Sequence, residues 1–120
     1  MNLSLRRWIS SAAFASLILM FSFPAAAAAK QTLTGEVSDA MCGRKHMEGT
    51  AADCTRVCTK SGSKYALIVG DKIYALDTTD KAALTTLDQQ AGKHATVTGT
   101  VGGDATSGYT VAVSTVAAAK

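Results

Sequence analysis

The sequence predicts a small, mainly β domain whose five strands close into a barrel, preceded by a leader that export removes. Three observations carry this reading. The first 29 of the 120 residues hold a basic start, a long apolar run and an alanine tract. Beyond them, apolar and polar residues alternate with period two in several short segments, the signature of half-buried strands. Those segments are β-branched, punctuated by glycine, and broken by a single longer helical pattern.

The leader comes first. Leu5–Phe23 contains Arg6 and Arg7 and then a long apolar stretch, which ends at Pro24 and the tract Ala25–Ala29. A basic n-region, an apolar h-region and small residues at the cut describe a secretory signal peptide. Cleavage after Ala29 leaves residues 30–120 as one domain, and cleavage after Ala27 fits almost as well. An uncleaved anchor is the alternative, but the small-residue tract favours cutting. The arginine pair is also compatible with twin-arginine export, and no cysteine stands where a lipoprotein anchor would need one.

Removing the leader changes the composition. Trp8 and all three phenylalanines go with it, and of the 12 Lys and Arg, ten remain against nine Asp and Glu. The net charge falls from +3 to +1. A near-neutral domain whose aromatics are Tyr65, Tyr74 and Tyr109 lacks the basic footprint and stacking platform of a nucleic-acid binder. No apolar run of membrane-spanning length remains. The expected location is the periplasm or the secreted fraction.

The elements follow in order. Leu33, Gly35 and Val37 alternate with Thr32, Thr34 and Glu36, a strand. Ser38–Gly62 has no strand period and holds all three cysteines. Within it Asp53–Lys60 reads as a short helix, capped by Asp53 or a neighbour and stopped near Gly62. Lys64–Val69 and Lys72–Leu76 are strands joined by Gly70-Asp71, the Gly-X pair of a type II′ hairpin turn. Thr79–Ala91 reads as a helix capped by Thr79 or Asp80, with Ala83, Leu84, Leu87 and Ala91 as its apolar stripe and Gly92 as its terminator. His94–Val101 alternates again, Gly102–Gly108 is a turn, and Tyr109–Ser114 alternates once more. The tail Ala117–Lys120 reads as loose.

Five strands with a helix between the third and fourth is the element order of an OB-fold barrel. An open α+β sheet with the helix on one face is the runner-up. Closure leaves fewer bare edges, and Gly35 and Gly99 on inward faces suit the sharp bends of a small barrel. The cysteine-bearing segment then becomes the loop between strands one and two, a common ligand site of that fold.

Two spacings stand out in that loop. Cys42 to His46 is C-x3-H, and Cys54 to Cys58 is C-x3-C. Residues four apart on a helix share a face, with Cβ atoms about 5–6 Å apart. Cys42, His46, Cys54 and Cys58 thus offer a Cys3His set suited to tetrahedral zinc. Met41 and Met47 flank the first pair and would favour copper(I), although both also read as packing residues under the loop. Cys54 lies near the positive end of its helix with Arg56 close by, which favours thiolate.

The oxidising compartment argues for a disulfide plus one free thiol. Cys42 with either Cys54 or Cys58 is the easier bridge, because Cβ vectors at i and i+4 run parallel. His94 reads as a surface residue. Asp39, Glu48 and Asp53 read as solvated loop carboxylates, and no catalytic constellation is assigned. C-x-x-C-H is absent, so covalent haem attachment is not indicated.

The stretch Ser38-Asp39-Ala40-Met41-Cys42-Gly43-Arg44-Lys45-His46, followed by Cys54 and Cys58, Gly62–Leu67 and Thr96–Val101, resembles an uncharacterised family of small exported bacterial proteins, OB-like and common in soil bacteria. The resemblance covers nearly all of the mature chain, and its most specific part is C-G-x-x-H followed by C-x-x-x-C. It implies export and a shared cysteine loop, and supplies no reaction or ligand.

Three functions compete. The first is an exported domain binding zinc or copper through Cys42, His46, Cys54 and Cys58. The second is a thiol or redox protein, disfavoured by the C-x3-C spacing and the lack of a βαβ pattern. The third is a module binding a small molecule, peptide or carbohydrate on the barrel face, with Tyr65 and Tyr74 as contacts and a disulfide-stapled loop.

Overall fold

Alternating side chains commit each strand to one inward row, and the inward rows meet in a common core. A computed structural model describes residues 29–45 and 49–120. The predicted leader, apart from Ala29, and His46, Met47 and Glu48 lie outside the described residues. The chain runs β1 (Lys30–Asp39), α1 (Ala51–Lys60), β2 (Tyr65–Val69), β3 (Lys72–Asp77), α2 (Lys81–Gln89), β4 (His94–Asp104) and β5 (Gly108–Ala118).

The strands form a closed barrel in the order β1-β2-β3-β5-β4, sealed by antiparallel pairing of β4 with β1. Closure excludes the open sheet. Among the described strands, β3 and β5 are the pair that runs parallel. β1 serves two neighbours along its length: Lys30–Glu36 pairs with β4 and Glu36–Asp39 with β2. It therefore bends sharply around Gly35 and Glu36. On the outer face of the first half, Thr32 and Thr98 hydroxyls meet at 3.1 Å and Thr34 and Thr96 at 3.0 Å, cross-strand pairs of the kind that stabilise sheets.

The core is mostly aliphatic, with one buried tyrosine. Val37, Leu67, Tyr74, Leu76, Leu87, Ala95, Val97 and Val111 form one cluster. Leu87, fully buried, brings α2 to it, and burying such a side chain contributes roughly 1.5–3 kcal/mol. Tyr74 packs on Tyr109 with ring centroids 5.4 Å apart. Its near-complete burial removes it as a surface contact for a carbohydrate or peptide. Tyr65 is half-buried against the same core.

Local signals act where the chain places them. Asp80 caps α2, accepting from the Ala83 N–H. Thr50, three residues ahead of the predicted helix, caps α1: its Oγ1 accepts from the Asp53 N–H and donates to the Asp53 carboxylate. That reciprocal pair starts α1 at Ala51, two residues earlier than Asp53 suggests. Gly70 has φ +60°, and among the described residues no non-glycine residue has positive φ, consistent with the II′ turn. The Ala117–Ala118 tail is strand, because Ala118 pairs with Ala95 and the Ala119 N–H bonds to the His94 carbonyl. Alanines carry no hydrophobic period, so pattern alone could not find this pairing. No helix of the described residues is long and apolar enough to cross a membrane.

Candidate metal centre

The last residues of β1 and one face of α1 converge on the site. Asp39, which ends β1, is fully buried. Its Oδ2 accepts the Met41 N–H at 3.1 Å and the Cys42 N–H at 2.9 Å, while its backbone carbonyl accepts the Gly43 N–H at 2.9 Å. This is an aspartate folding the following backbone onto its own carboxylate. It holds Cys42 immediately above the end of the strand.

Three further bonds fix the loop. The Ser38 hydroxyl donates to the Gly43 carbonyl at 2.6 Å, Gly43 turns with φ +57°, and the Arg44 guanidinium donates to the Gly70 carbonyl on the β2–β3 turn. A Cβ at Gly43 would stand 2.9 Å from the Ile73 Cδ1, so the loop lies tight on the sheet. Cys54 and Cys58, one turn apart on α1, present their sulfurs to Cys42 from the other side.

The sulfur of Cys42 is 3.4 Å from that of Cys58 and 3.9 Å from that of Cys54. One oxygen of Asp39 and all three sulfurs lie within 4.8 Å of one another. A disulfide needs about 2.05 Å, and all three cysteines are free. Ligands about 2.3 Å from a shared tetrahedral zinc would have sulfurs roughly 3.8 Å apart. The observed spacings sit near that value.

The Asp39 carboxylate is also incomplete. Its Oδ1 is buried with no hydrogen-bond partner, as is the Thr55 hydroxyl on α1. The thiols open onto a surface cavity whose rim carries Met41 and Val57, 71% and 64% exposed. Met41 is therefore not a packing residue.

Without an ion the Cys42 and Cys58 thiols keep their protons. Hydrogen bonding to Cys58, burial, hydrogen bonding to Cys54 and the Asp39 charge push Cys42 up from 9.0 to about 12. The Cys42 bond pulls Cys58 down, but burial and the charge of Asp39 outweigh it, so Cys58 is raised as well. A metal must displace these protons, so affinity rises with pH.

The metal-free, reduced protein should show this directly. A rise from 9.0 to about 12 lowers the thiolate fraction of Cys42 at pH 8 by roughly a thousandfold. Greater intrinsic nucleophilicity offsets only part of that, leaving exchange with an aromatic disulfide reagent much slower than for an ordinary cysteine. The Cys42 rate, read by mass mapping, should then climb toward pH 12. For the fold the sign is fixed: the folded value lies above the unfolded one. The stabilisation is complete below the ordinary thiol range and is lost as pH rises toward about 12.

Oxidation should be selective. Under a glutathione disulfide buffer, metal-free protein should close Cys42–Cys58 before Cys42–Cys54, because the first pair is nearer. Peptide mapping checks this, and a dominant Cys54–Cys58 bridge contradicts it.

Of the four residues singled out by spacing, the structure brings Cys42, Cys54 and Cys58 together, while His46 lies outside the described residues. Asp39 joins the sulfurs, although its sequence setting suggests a solvated loop carboxylate. Burial under the loop it folds is the reason. Asp53 is exposed, as expected, and bonds to Thr50. His94 is exposed at the start of β4. Arg56 does not turn to Cys54: its guanidinium engages the side chain of Asp88 at 3.3 Å and its carbonyl at 2.9 Å, tying α1 to the end of α2.

Comparison with protein-family models, with curated proteins and with solved structures found no match for this chain.

Proposed function

We propose that this is an exported OB-like domain that binds a single zinc or copper ion through the thiolates of Cys42, Cys54 and Cys58, in a binding rather than a catalytic role. The observation that carries the reading is the three-sulfur cluster at coordination spacing beside a fully buried carboxylate with an unpartnered oxygen. A buried carboxylate oxygen left without a partner is costly, and an ion there would offset that cost. His46, four residues after Cys42, is the fourth donor that spacing alone would supply; it lies outside the described residues, among which Asp39 stands beside the three sulfurs.

The fold name rests on topology. A closed five-stranded barrel in the order β1-β2-β3-β5-β4, with α2 between β3 and β4, supports the OB-like assignment. The cysteine site then occupies the loop between the first two strands. Export rests on the leader composition and is checked by fractionating cells that express the full chain.

Native intact mass of the purified protein, with and without chelator and with thiol alkylation, tests the binding. One bound ion is expected, with three alkylatable cysteines appearing only after its removal. A mass lighter by two protons with one reactive cysteine would overturn the reading in favour of a structural disulfide.

A further inference from the structure

We infer that the Asp39 carboxylate is the hard donor of this cluster and makes it a site for a divalent ion, zinc in the first instance, in preference to copper(I). The inference rests on the thiolate-site reading above and specifies its ion.

A purely structural aspartate would be explained by its turn. Oδ2 is fully occupied that way, accepting from the N–H groups of Met41 and Cys42. Oδ1 is not: it is buried and unpartnered on a residue with no exposed surface. Native proteins rarely leave such an oxygen bare, because its lost hydration is not returned. The groups gathered closest to Asp39 include the sulfurs of Cys42, Cys54 and Cys58, with an Asp39 oxygen inside the same 4.8 Å cluster. These thiols lie beside it, and no lysine or arginine is hydrogen-bonded to it among the described residues. A cation among the sulfurs would complete its environment.

Donor chemistry then selects the cation. Zinc accepts thiolate and carboxylate together, with oxygen at about 2.0–2.2 Å and sulfur at about 2.3 Å. Copper(I) is selected by soft sulfur donors, and a carboxylate adds little to it. Charge points the same way. Three thiolates and one carboxylate are four anionic donors, and a divalent ion neutralises two of those charges where a monovalent ion neutralises one. Of the two methionines that favour copper in the sequence, Met41 is exposed to solvent and Met47 lies outside the described residues.

The experiment uses the protein as the cell processes it from the full chain, reduced and metal-free. Zinc affinity is measured against a chromophoric chelator and copper(I) affinity against bicinchoninate without oxygen, for the native protein and for Asp39→Asn. The amide oxygen of that variant can still accept the two backbone N–H groups, and a circular-dichroism melt of the metal-free form shows whether the fold is kept.

Asp39→Asn should weaken zinc by at least about a hundredfold, since losing even an outer-shell partner of a ligand costs roughly 10–100-fold, and change copper(I) by less than about threefold. Carbon-13 NMR of the native protein gives a readout that needs no variant. The Asp39 carboxylate resonance should move on zinc loading and stay in place on copper(I) loading. An unmoved resonance with zinc bound, or equal losses of both ions in a folded variant, overturns the assignment to Asp39. If the native protein binds neither ion, the thiolate-site reading itself fails, and this inference with it.

Discussion

Loading the reduced protein with zinc at a thousand times its dissociation constant is expected to raise the melting temperature by roughly 15–30 °C. An ion that binds only the folded state stabilises it by about 4 kcal/mol at that excess. For a domain of 60–100 residues each kcal/mol moves the melting temperature by roughly 4–8 °C. The effect is large because the metal-free domain has little in reserve. Its core is built of valine, leucine and alanine around one buried tyrosine, and a small domain buries a smaller fraction of its surface than a large one. The ion would also join β1 to α1, two elements otherwise held together by the loop between them and by packing of the helix on the strand. Cys58→Ser should abolish most of the zinc-dependent gain while leaving the metal-free melt close to native, since its sulfur is only half-buried. Differential scanning calorimetry with and without zinc measures both. A zinc-bound protein that melts where the metal-free protein does would show that the site is not coupled to the fold.

The thiol half of the site was legible in the sequence because helical spacing is a geometric statement. Cys54 and Cys58 share a face wherever α1 forms, and an apolar-poor segment with every cysteine in it has few other uses for them. Asp39 was not legible as a buried donor. A carboxylate at the junction of a strand and a polar loop is usually solvated, and only tertiary structure shows that the loop closes over it. A weaker signal was present. Aspartate two and three residues ahead of Met41 and Cys42 is placed to accept their N–H groups, and β1 stays buried on both faces from Val37 to Asp39. The position of Arg56 was misread for the opposite reason. Nearness in sequence to Cys54 counts for little when the side chain is drawn to Asp88 on another helix.

The barrel was legible to a greater depth, through alternation and through glycine. Leu33, Gly35, Val37, Ala95, Val97, Gly99 and Val111 all turn inward as the period-two pattern requires. Closure itself is not written in any one strand. It follows when five short strands satisfy one another's edges, and β1 can serve both β4 and β2 only by bending. That requirement places a demand on the residue at the bend which composition alone states as a preference for glycine and the structure turns into a contact.

Gly35→Ala should therefore cost about 3 kcal/mol or more, at the severe end for inserting one methyl group into a packed interior. A Cβ at Gly35 would stand 2.1 Å from the Ile68 carbonyl oxygen and 2.8 Å from its carbon. Both are backbone atoms of β2, so relief requires the strands to separate at the point where β1 passes from one partner to the other. Gly99, at the register shift between Thr98 and Gly99, presents the same problem: its Cβ would meet the Ala112 carbonyl oxygen at 2.3 Å. Gly102 provides the contrast. Its nearest neighbour would be the Thr110 hydroxyl at 3.3 Å, a side-chain atom on an exposed stretch that can rotate away. In one metal state and one buffer, Gly35→Ala and Gly99→Ala should each lower the melting temperature by roughly 12–24 °C. Gly102→Ala should stay within a few degrees of native or rise, because alanine gives up less backbone entropy than glycine. A Gly35→Ala protein melting beside the native one would mean that β1 bends by a route that does not bring its backbone against Ile68. The two-partner geometry of that strand would then be wrong.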